Sequence, residues 1–198
     1  VFGRLHKKGN LNIPIESEAQ AIDLQTNRYL KNMGFSRYEI SSYSLPGHAS
    51  RHNRMYWSGS GWWGFGMGAT SCPWGKRFSR PRTIAGYKKW LEKQESQSIE
   101  KTLFFDESNS MPLDELLMIG LRRREGVHLE ELAKNFGWTQ KECDKNLKLL
   151  EQYWLTFLNE GYLLRENGRY FLSNPNGMQL SNQILIQMFV WWDSLDLD

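Results

Sequence analysis

Hydrophobic and polar positions follow one pattern over the first part of this chain and another from Met111 on. From Pro14 to Met33 the apolar residues Ala21, Ile22, Leu24, Leu30 and Met33 form a rough helical stripe. Ser17 is the expected N-cap, acidic residues suit the first turn, and Gly34 ends the helix. Arg37 to Ser44 has the aromatic and β-favouring character of one strand, closed by Pro46-Gly47. Helix followed by strand is half of a repeating α/β unit. Residues 57–75 then crowd six glycines among tryptophan and phenylalanine. Trp62 to Met67 reads there as a short buried strand before a loop. Thr83 to Gln97 predicts a helix with Tyr87, Trp90 and Leu91 inward. Residues 98–110 are polar and read as a linker in which Leu103-Phe104-Phe105 docks locally.

From Met111 the pattern is different. Pro112 to Arg124 predicts a helix with Leu113, Leu116, Leu117, Ile119, Gly120 and Leu121 on its inner side. Leu129 to Phe136 is a second helix ended by Gly137. A third, capped by Thr139, runs through Leu147, Leu150, Trp154 and Phe157 to Gly161. Two strands, Tyr162 to Arg165 and Arg169 to Leu172, flank Asn167-Gly168, the dipeptide most typical of a tight hairpin. A last helix is expected from Gln179 to Trp191. Three helices and a hairpin is the winged-helix order, a helix-turn-helix variant.

Composition narrows the class. The 198 residues include 9 tryptophans and 2 cysteines. Such aromatic content supports a packed core rather than a disordered chain. Two distant cysteines build neither a disulfide scaffold nor a zinc site, and they fit a reducing, cytoplasmic setting. No apolar run approaches the length of a membrane helix. The chain opens on Val1-Phe2-Gly3-Arg4-Leu5, which reads as the middle of something, so the expectation is a piece of a longer protein.

Charge separates the two parts. Residues 1–100 hold 15 Lys+Arg and 7 Asp+Glu, a net of +8, and residues 101–198 hold 10 and 15, a net of −5. The basic part suits an anionic partner or is a solvated surface. The acidic part argues against DNA, whose phosphates require a basic face. The candidate recognition helix alternates Lys141, Glu142, Asp144, Lys145, Lys148 and Glu151. The run Arg122-Arg123-Arg124 lies on the wrong element for DNA contact.

Few residues offer chemistry. His6 beside Lys7 and Lys8 reads as solvated, and His128 as a capping or surface residue. His48 and His52 share a loop and would lie on one face if it were helical. Imidazole ligates transition metals and haem iron, but a histidine near aromatics is also an ordinary structural residue. The run Gly64-Phe65-Gly66-Met67-Gly68-Ala69 lets backbone approach either a ligand or a neighbouring strand, and it lacks the register of a nucleotide loop. Glu39 either pairs with Arg37 or lines a pocket.

The order of these segments resembles a known family. His52-Asn53-Arg54-Met55-Tyr56-Trp57 fits HNxxYW. It follows Tyr38-Glu39-Ile40-Ser41-Ser42-Tyr43 and Pro46-Gly47-His48, and it precedes Gly64-Phe65-Gly66-Met67-Gly68-Ala69-Thr70-Ser71. Together these resemble the HemW family of radical S-adenosylmethionine (SAM) proteins, haem chaperones related to the oxygen-independent coproporphyrinogen III oxidases. Leu121-Arg122, Gly126-Val127 and Gly161-Tyr162-Leu163 fit the C-terminal domain of that family.

The resemblance implies an α/β fold. Residues 1–97 would be the C-terminal part of a partial (β/α) radical SAM barrel, 98–110 a linker, and 111–198 an α+β winged-helix-like domain. It implies His52 as the axial ligand of haem iron, with Asn53, Tyr56 and Trp57 shaping the haem site and Arg51 and Arg54 available to the propionates. It also implies that Gly66, Gly68, Ala69 and Thr70 lie near S-adenosylmethionine. The cysteine motif of the [4Fe–4S] cluster is absent here, and two cysteines cannot replace it. The implied function is the C-terminal part of a haem chaperone. Its partners would be haem, haem-accepting apoproteins (a membrane-associated recipient among them), the missing barrel half and a second copy. The alternatives are an oxygen-independent coproporphyrinogen III oxidase and a winged-helix nucleic-acid binder.

Overall fold

The computed structural model describes residues 2–7, 9, 13–73, 77–96 and 111–195. The expected linker at 98–110, with Leu103-Phe104-Phe105, lies outside the described residues. Helices and small antiparallel sheets mix along the chain, an α/β composition in the coarse sense. Every strand pairing among the described residues is antiparallel, so the parallel sheet of a (β/α) barrel is not among them.

A short helix α1 (Phe2–Lys7) precedes α2 (Glu16–Asn32). Ile15, not Ser17, stands at the N-cap of α2. Its N–H donates to the Glu18 carboxylate at 3.1 Å, the acidic half of a capping box, and no N-cap side chain accepts a first-turn N–H. The single strand expected over 37–44 is a hairpin, β1 (Ser36–Glu39) and β2 (Ser42–Ser44). The reversal is fixed by Glu39, whose carboxylate accepts the Ser41 N–H at 3.2 Å. Of the two readings of Glu39, pairing with Arg37 does not occur; Arg37 Nη1 bonds Asp23 of α2 at 3.0 Å. The outer edge of β1 meets the residues after Leu121. Ile40 N donates to Arg122 O, and Arg124 N to Tyr38 O, both at 3.0 Å.

The chain then forms α3 (Arg51–Trp57), β3 (Thr70–Ser71), β4 (Phe78–Ser79) and α4 (Ile84–Glu95). Trp62 to Met67 is not a buried strand. Trp62 makes one isolated bridge to Cys72, and Trp63, Phe65 and Met67 are exposed. The left-handed Gly66 and Gly68 break any extended run there. In α4, capped by the Thr83 hydroxyl, Tyr87 and Trp90 stack half-buried while Leu91 is exposed.

The remainder comprises α5 (Leu113–Leu121), β5 (Val127–His128), α6 (Leu129–Phe136), α7 (Gln140–Tyr153), α8 (Leu155–Asn159), β6 (Leu163–Glu166), β7 (Arg169–Leu172), α9 (Asn176–Gln179) and α10 (Ser181–Asp193). The strands form one sheet in the order β5-β7-β6. Helix α5 stops at Leu121, so Arg122 to Arg124 are a turn and a sheet edge rather than helix. The long third helix breaks at Trp154, and the last helix breaks at Leu180. Gly137 takes the left-handed C-cap of α6, and Thr139 closes a capping box with Glu142 at the start of α7. Asn167 and Gly168 both have positive φ, as a type I′ turn requires.

The main core sits here. Leu113, Leu117, Leu121, Leu150, Trp154, Ile184, Met188 and Trp191 are fully or nearly fully enclosed. The two fully enclosed tryptophans satisfy their indole N–H: Trp154 donates to Ile184 O at 3.1 Å and Trp191 to Asn146 O at 3.0 Å. A smaller cluster of Cys72, Met111 and Ile119, with Trp57 and Trp62 against it, joins α3 to α5. Gly126 is required where α5 returns to the sheet. Its φ is +61°, and a Cβ there would stand 1.9 Å from Tyr170 O.

Candidate functional site

Helix α3 organises the candidate site. Gly47 turns the chain with φ +79°, and Ser50 caps the helix, its hydroxyl accepting the Asn53 N–H at 3.3 Å. His48 precedes the helix in a non-helical turn, so it does not share a helical face with His52. Within α3, side chains four apart lie on one side. His52 and Tyr56 form such a pair, edge to face at 4.8 Å between centroids, and Tyr56 continues to Trp62 at 4.5 Å. His52 is exposed, and its imidazole makes no hydrogen bond among the described residues. Its ring nitrogens are therefore accessible to a ligand.

Asn53 and Trp57 are the other pair. Asn53 donates its amide to the Tyr38 hydroxyl at 3.2 Å. Trp57 lies under the Arg122 guanidinium, at 4.6 Å from Cζ to ring centroid. The indole Nε1 of Trp57 and Nε of Arg122 are enclosed with no hydrogen-bond partner among the described residues. The cation–π stack is their main compensation. Arg54, expected to be available to propionates, instead pairs with Glu125 at 2.6 Å, whereas Arg51 is exposed with no carboxylate partner among the described residues. Burial holds the Arg123 guanidinium below the usual arginine range, and Glu125 partly offsets this. The four HNxxYW residues thus point two ways: His52 and Tyr56 toward Trp62, Asn53 and Trp57 toward the β1–β2 hairpin and the end of α5.

The glycine loop lies beyond Trp62. Trp62 and Cys72 exchange backbone hydrogen bonds at 3.1 and 2.9 Å. Gly64 allows the close approach expected of packed strands, since a Cβ would meet Thr70 O at 2.3 Å. Gly66 faces open space, Gly68 N donates to Pro81 O at 3.0 Å, and Ala69 O accepts the Arg80 N–H at 2.9 Å. The Thr70 hydroxyl is 2.8 Å from that of Ser79. The fit to S-adenosylmethionine therefore rests on the open backbone at Gly66. His128 caps α6, its Nδ1 accepting the Glu131 N–H at 3.4 Å.

An iron–sulfur cluster does not fit this chain. Cys72 and Cys143 are buried in separate clusters, and no group of three metal-ligating side chains occurs among the described residues. Haem iron does fit the donor that α3 presents, one exposed imidazole.

The curated relatives decide the family. A Synechocystis sp. protein named "Heme chaperone HemW" is 36% identical over 204 residues, 96% of this chain and 48% of the relative. This chain is a HemW-like member of the radical SAM family. The HemW protein of Lactococcus lactis is 26% identical over 93% of the chain and 45% of its own length. A zebrafish (Danio rerio) "Radical S-adenosyl methionine domain-containing protein 1, mitochondrial" is 30% identical over 61% of the chain and 28% of its own length. The HemW-like chain thus spans about half the length of the curated relatives it matches. No family profile matches it, and no solved structure matches it significantly.

Two further residues belong to the site. Trp62, in the stretch whose pattern predicts a strand, completes the ring series from His52. Arg80 carries no local sequence signal, yet it is buried beside the glycine loop. Its environment comes from Phe65, Ser71, Phe78 and Trp90, which no local period connects.

Proposed function

We propose that this chain is the C-terminal part of a haem chaperone, which holds haem and passes it to haem-requiring proteins. The observation that carries this reading is His52, an exposed imidazole on α3 with no hydrogen-bond partner among the described residues. The names of its relatives support the same cargo. Haem would bind through His52 to its iron, with Tyr56 and Trp62 beside the imidazole and Arg51 near the propionates. Asn53 and Trp57 position α3 by holding it to Tyr38 and Arg122.

The finer architecture belongs to the same proposal. Residues 1–97 would complete a partial (β/α) barrel whose earlier strands lie elsewhere in the parent protein. Residues 111–198 form the winged-helix-like domain; the helix order and the β5-β7-β6 sheet support that reading. S-adenosylmethionine would lie along Gly66, Gly68, Ala69 and Thr70. The [4Fe–4S] cluster would sit on cysteines of the parent, not on Cys72 or Cys143. The setting is cytoplasmic, and the partners are haem-accepting apoproteins, a membrane-associated recipient among them, and a second copy of the chain. No helix of the described residues is long and apolar enough to cross a membrane.

The test is an absorbance titration with ferric haem. His52→Ala is expected to lose the shifted Soret band and weaken binding by about tenfold or more. A folded His52→Ala variant with unchanged affinity and spectrum overturns the assignment.

A further inference from the structure

Two arginines in this fold are buried to nearly the same degree and treated in opposite ways. Arg37 is 6% exposed and has an acid, Asp23, together with the Ile40 carbonyl. Arg80 is 7% exposed and pairs with no carboxylate among the described residues. Its Nη1 donates to the Ser71 hydroxyl at 2.8 Å. The rings of Phe65, Phe78 and Trp90 surround its Cζ at 6.0, 5.8 and 5.2 Å. Ring faces offset part of the desolvation of a guanidinium, but they do not neutralise its charge. A guanidinium carries five N–H donors, so several remain for an anion.

Among the described residues no carboxylate provides that anion. Residues 40–91 contain no aspartate or glutamate and eight lysines and arginines. The rings around Arg80 are also unusual. Phe65 is 85% exposed, Phe78 and Trp63 are exposed as well, and Trp63 meets Phe78 edge to face at 6.2 Å. The result is an apolar aromatic shelf in water with an uncompensated cation set into it.

We propose that Arg80 is the carboxylate anchor of a porphyrin-binding shelf formed with Phe65, Phe78 and Trp63, an inference that rests on the haem reading above. A porphyrin combines a flat apolar ring, which covers the shelf, with propionates that complete the guanidinium's hydrogen bonds. An inorganic anion would leave the rings in water. S-adenosylmethionine carries a sulfonium and an ammonium against one carboxylate, so its net positive charge would not balance the Arg80 guanidinium as two propionates do. The shelf is contiguous with the haem motif through Trp62, whose bridge partner Cys72 follows Ser71.

The experiment titrates the purified protein with metal-free protoporphyrin IX and with its dimethyl ester, which has no ionised propionates. Without iron, neither probe depends on His52. The wild type is expected to bind the diacid about tenfold more tightly than the ester, the effect of one charge-assisted hydrogen bond. Arg80→Gln is expected to remove that preference, and Phe65→Ala, at an exposed site, to weaken both probes with the fold intact. A wild type that binds neither probe, or shows no preference between them, overturns the proposal even if Arg80→Gln fails to fold. Arg80-dependent binding of S-adenosylmethionine instead of porphyrin overturns it too. Ferric haem dimethyl ester separates the two readings. If His52→Ala abolishes its binding while the diacid shows no advantage, the chaperone reading stands and Arg80 falls. If His52→Ala changes nothing while Arg80→Gln removes the diacid preference, the ligand assignment falls and Arg80 stands.

Discussion

The Arg122 guanidinium stacks on Trp57 at 4.6 Å and so joins the last residue of α3 to the first residue after α5. Neither Trp57 Nε1 nor Arg122 Nε has a hydrogen-bond partner among the described residues, so the stack holds α3 together with the Asn53–Tyr38 hydrogen bond and the Arg54–Glu125 pair. Arg122→Ala is expected to destabilise by about 1–2 kcal/mol, the range for a desolvated cation–π pair. It should also weaken haem binding without touching His52. Thermal melts and haem titrations of the same variant check both. Equal loss in Arg122→Ala and in the double variant with Trp57→Ala would show that the two act as a pair.

Asp23 holds Arg37 to α2 and also accepts from Gln179 at 3.0 Å. Asp23→Ala leaves the buried guanidinium with the Ile40 carbonyl and the Tyr43 ring but no carboxylate partner. The expected cost is about 1–3 kcal/mol, reduced by the partial exposure of Asp23. Urea unfolding of Asp23→Ala against Asp23→Asn separates lost charge from lost hydrogen bonding.

Trp154 is fully enclosed and donates to Ile184 O. Trp154→Ala removes one of the two largest enclosed side chains of the core, together with its indole hydrogen bond to the Ile184 carbonyl. A loss of about 3–5 kcal/mol is expected, enough to unfold a marginal domain. Circular dichroism of the variant at room temperature is the direct check, and a native-like spectrum with an unchanged midpoint would contradict it.

Tyr170 gives the fold an alkaline limit. Burial first, and a hydrogen bond to Glu151 second, raise its phenol above the ordinary value of about 10. The neutral phenol is the form favoured by the folded state. Above about pH 10 the unfolded chain releases this proton while the native state keeps it, so stability falls as pH rises toward the native value. Tyr170→Phe should flatten that part of the curve. Denaturation midpoints between pH 9 and 11, roughly spanning the unfolded value, measure the difference.

Gly126→Ala combines a left-handed φ with a Cβ placed 1.9 Å from Tyr170 O. The expected cost exceeds about 1 kcal/mol, because strain and overlap add. Urea midpoints compare it with Gly137→Ala, where a Cβ meets open space and strain acts alone.

What the sequence made legible was mostly local. The Asn167-Gly168 hairpin, the Thr139 cap and the Gly137 stop depend on neighbours within a few residues, and each is where periodicity and turn chemistry put it. The reversal at Ile40-Ser41 was hidden because it uses no glycine or asparagine. It depends on Glu39 and on pairing with Arg122 and Arg124, more than eighty residues away. Alternating glycine and aromatic residues imitated a strand at Trp62 to Met67, although Gly66 and Gly68 turn the backbone there. His52 was legible through its motif. Arg80 was not, because its neighbours Phe65, Ser71 and Trp90 are gathered only by the fold.

Helix α2 has seventeen residues and none of them is buried. It is tied down by separate polar contacts: Asn27 to Tyr43 and Asn174, Gln179 to Gln20 and Asp23, and the Asp23 pair with Arg37. Contacts of this kind can each be replaced by water, so no apolar seam has to open before the helix lifts away. The backbone amides of α2 should therefore trade hydrogen for deuterium well before those around Trp154, and the helix would be the first part of the molecule to come loose and the last to settle.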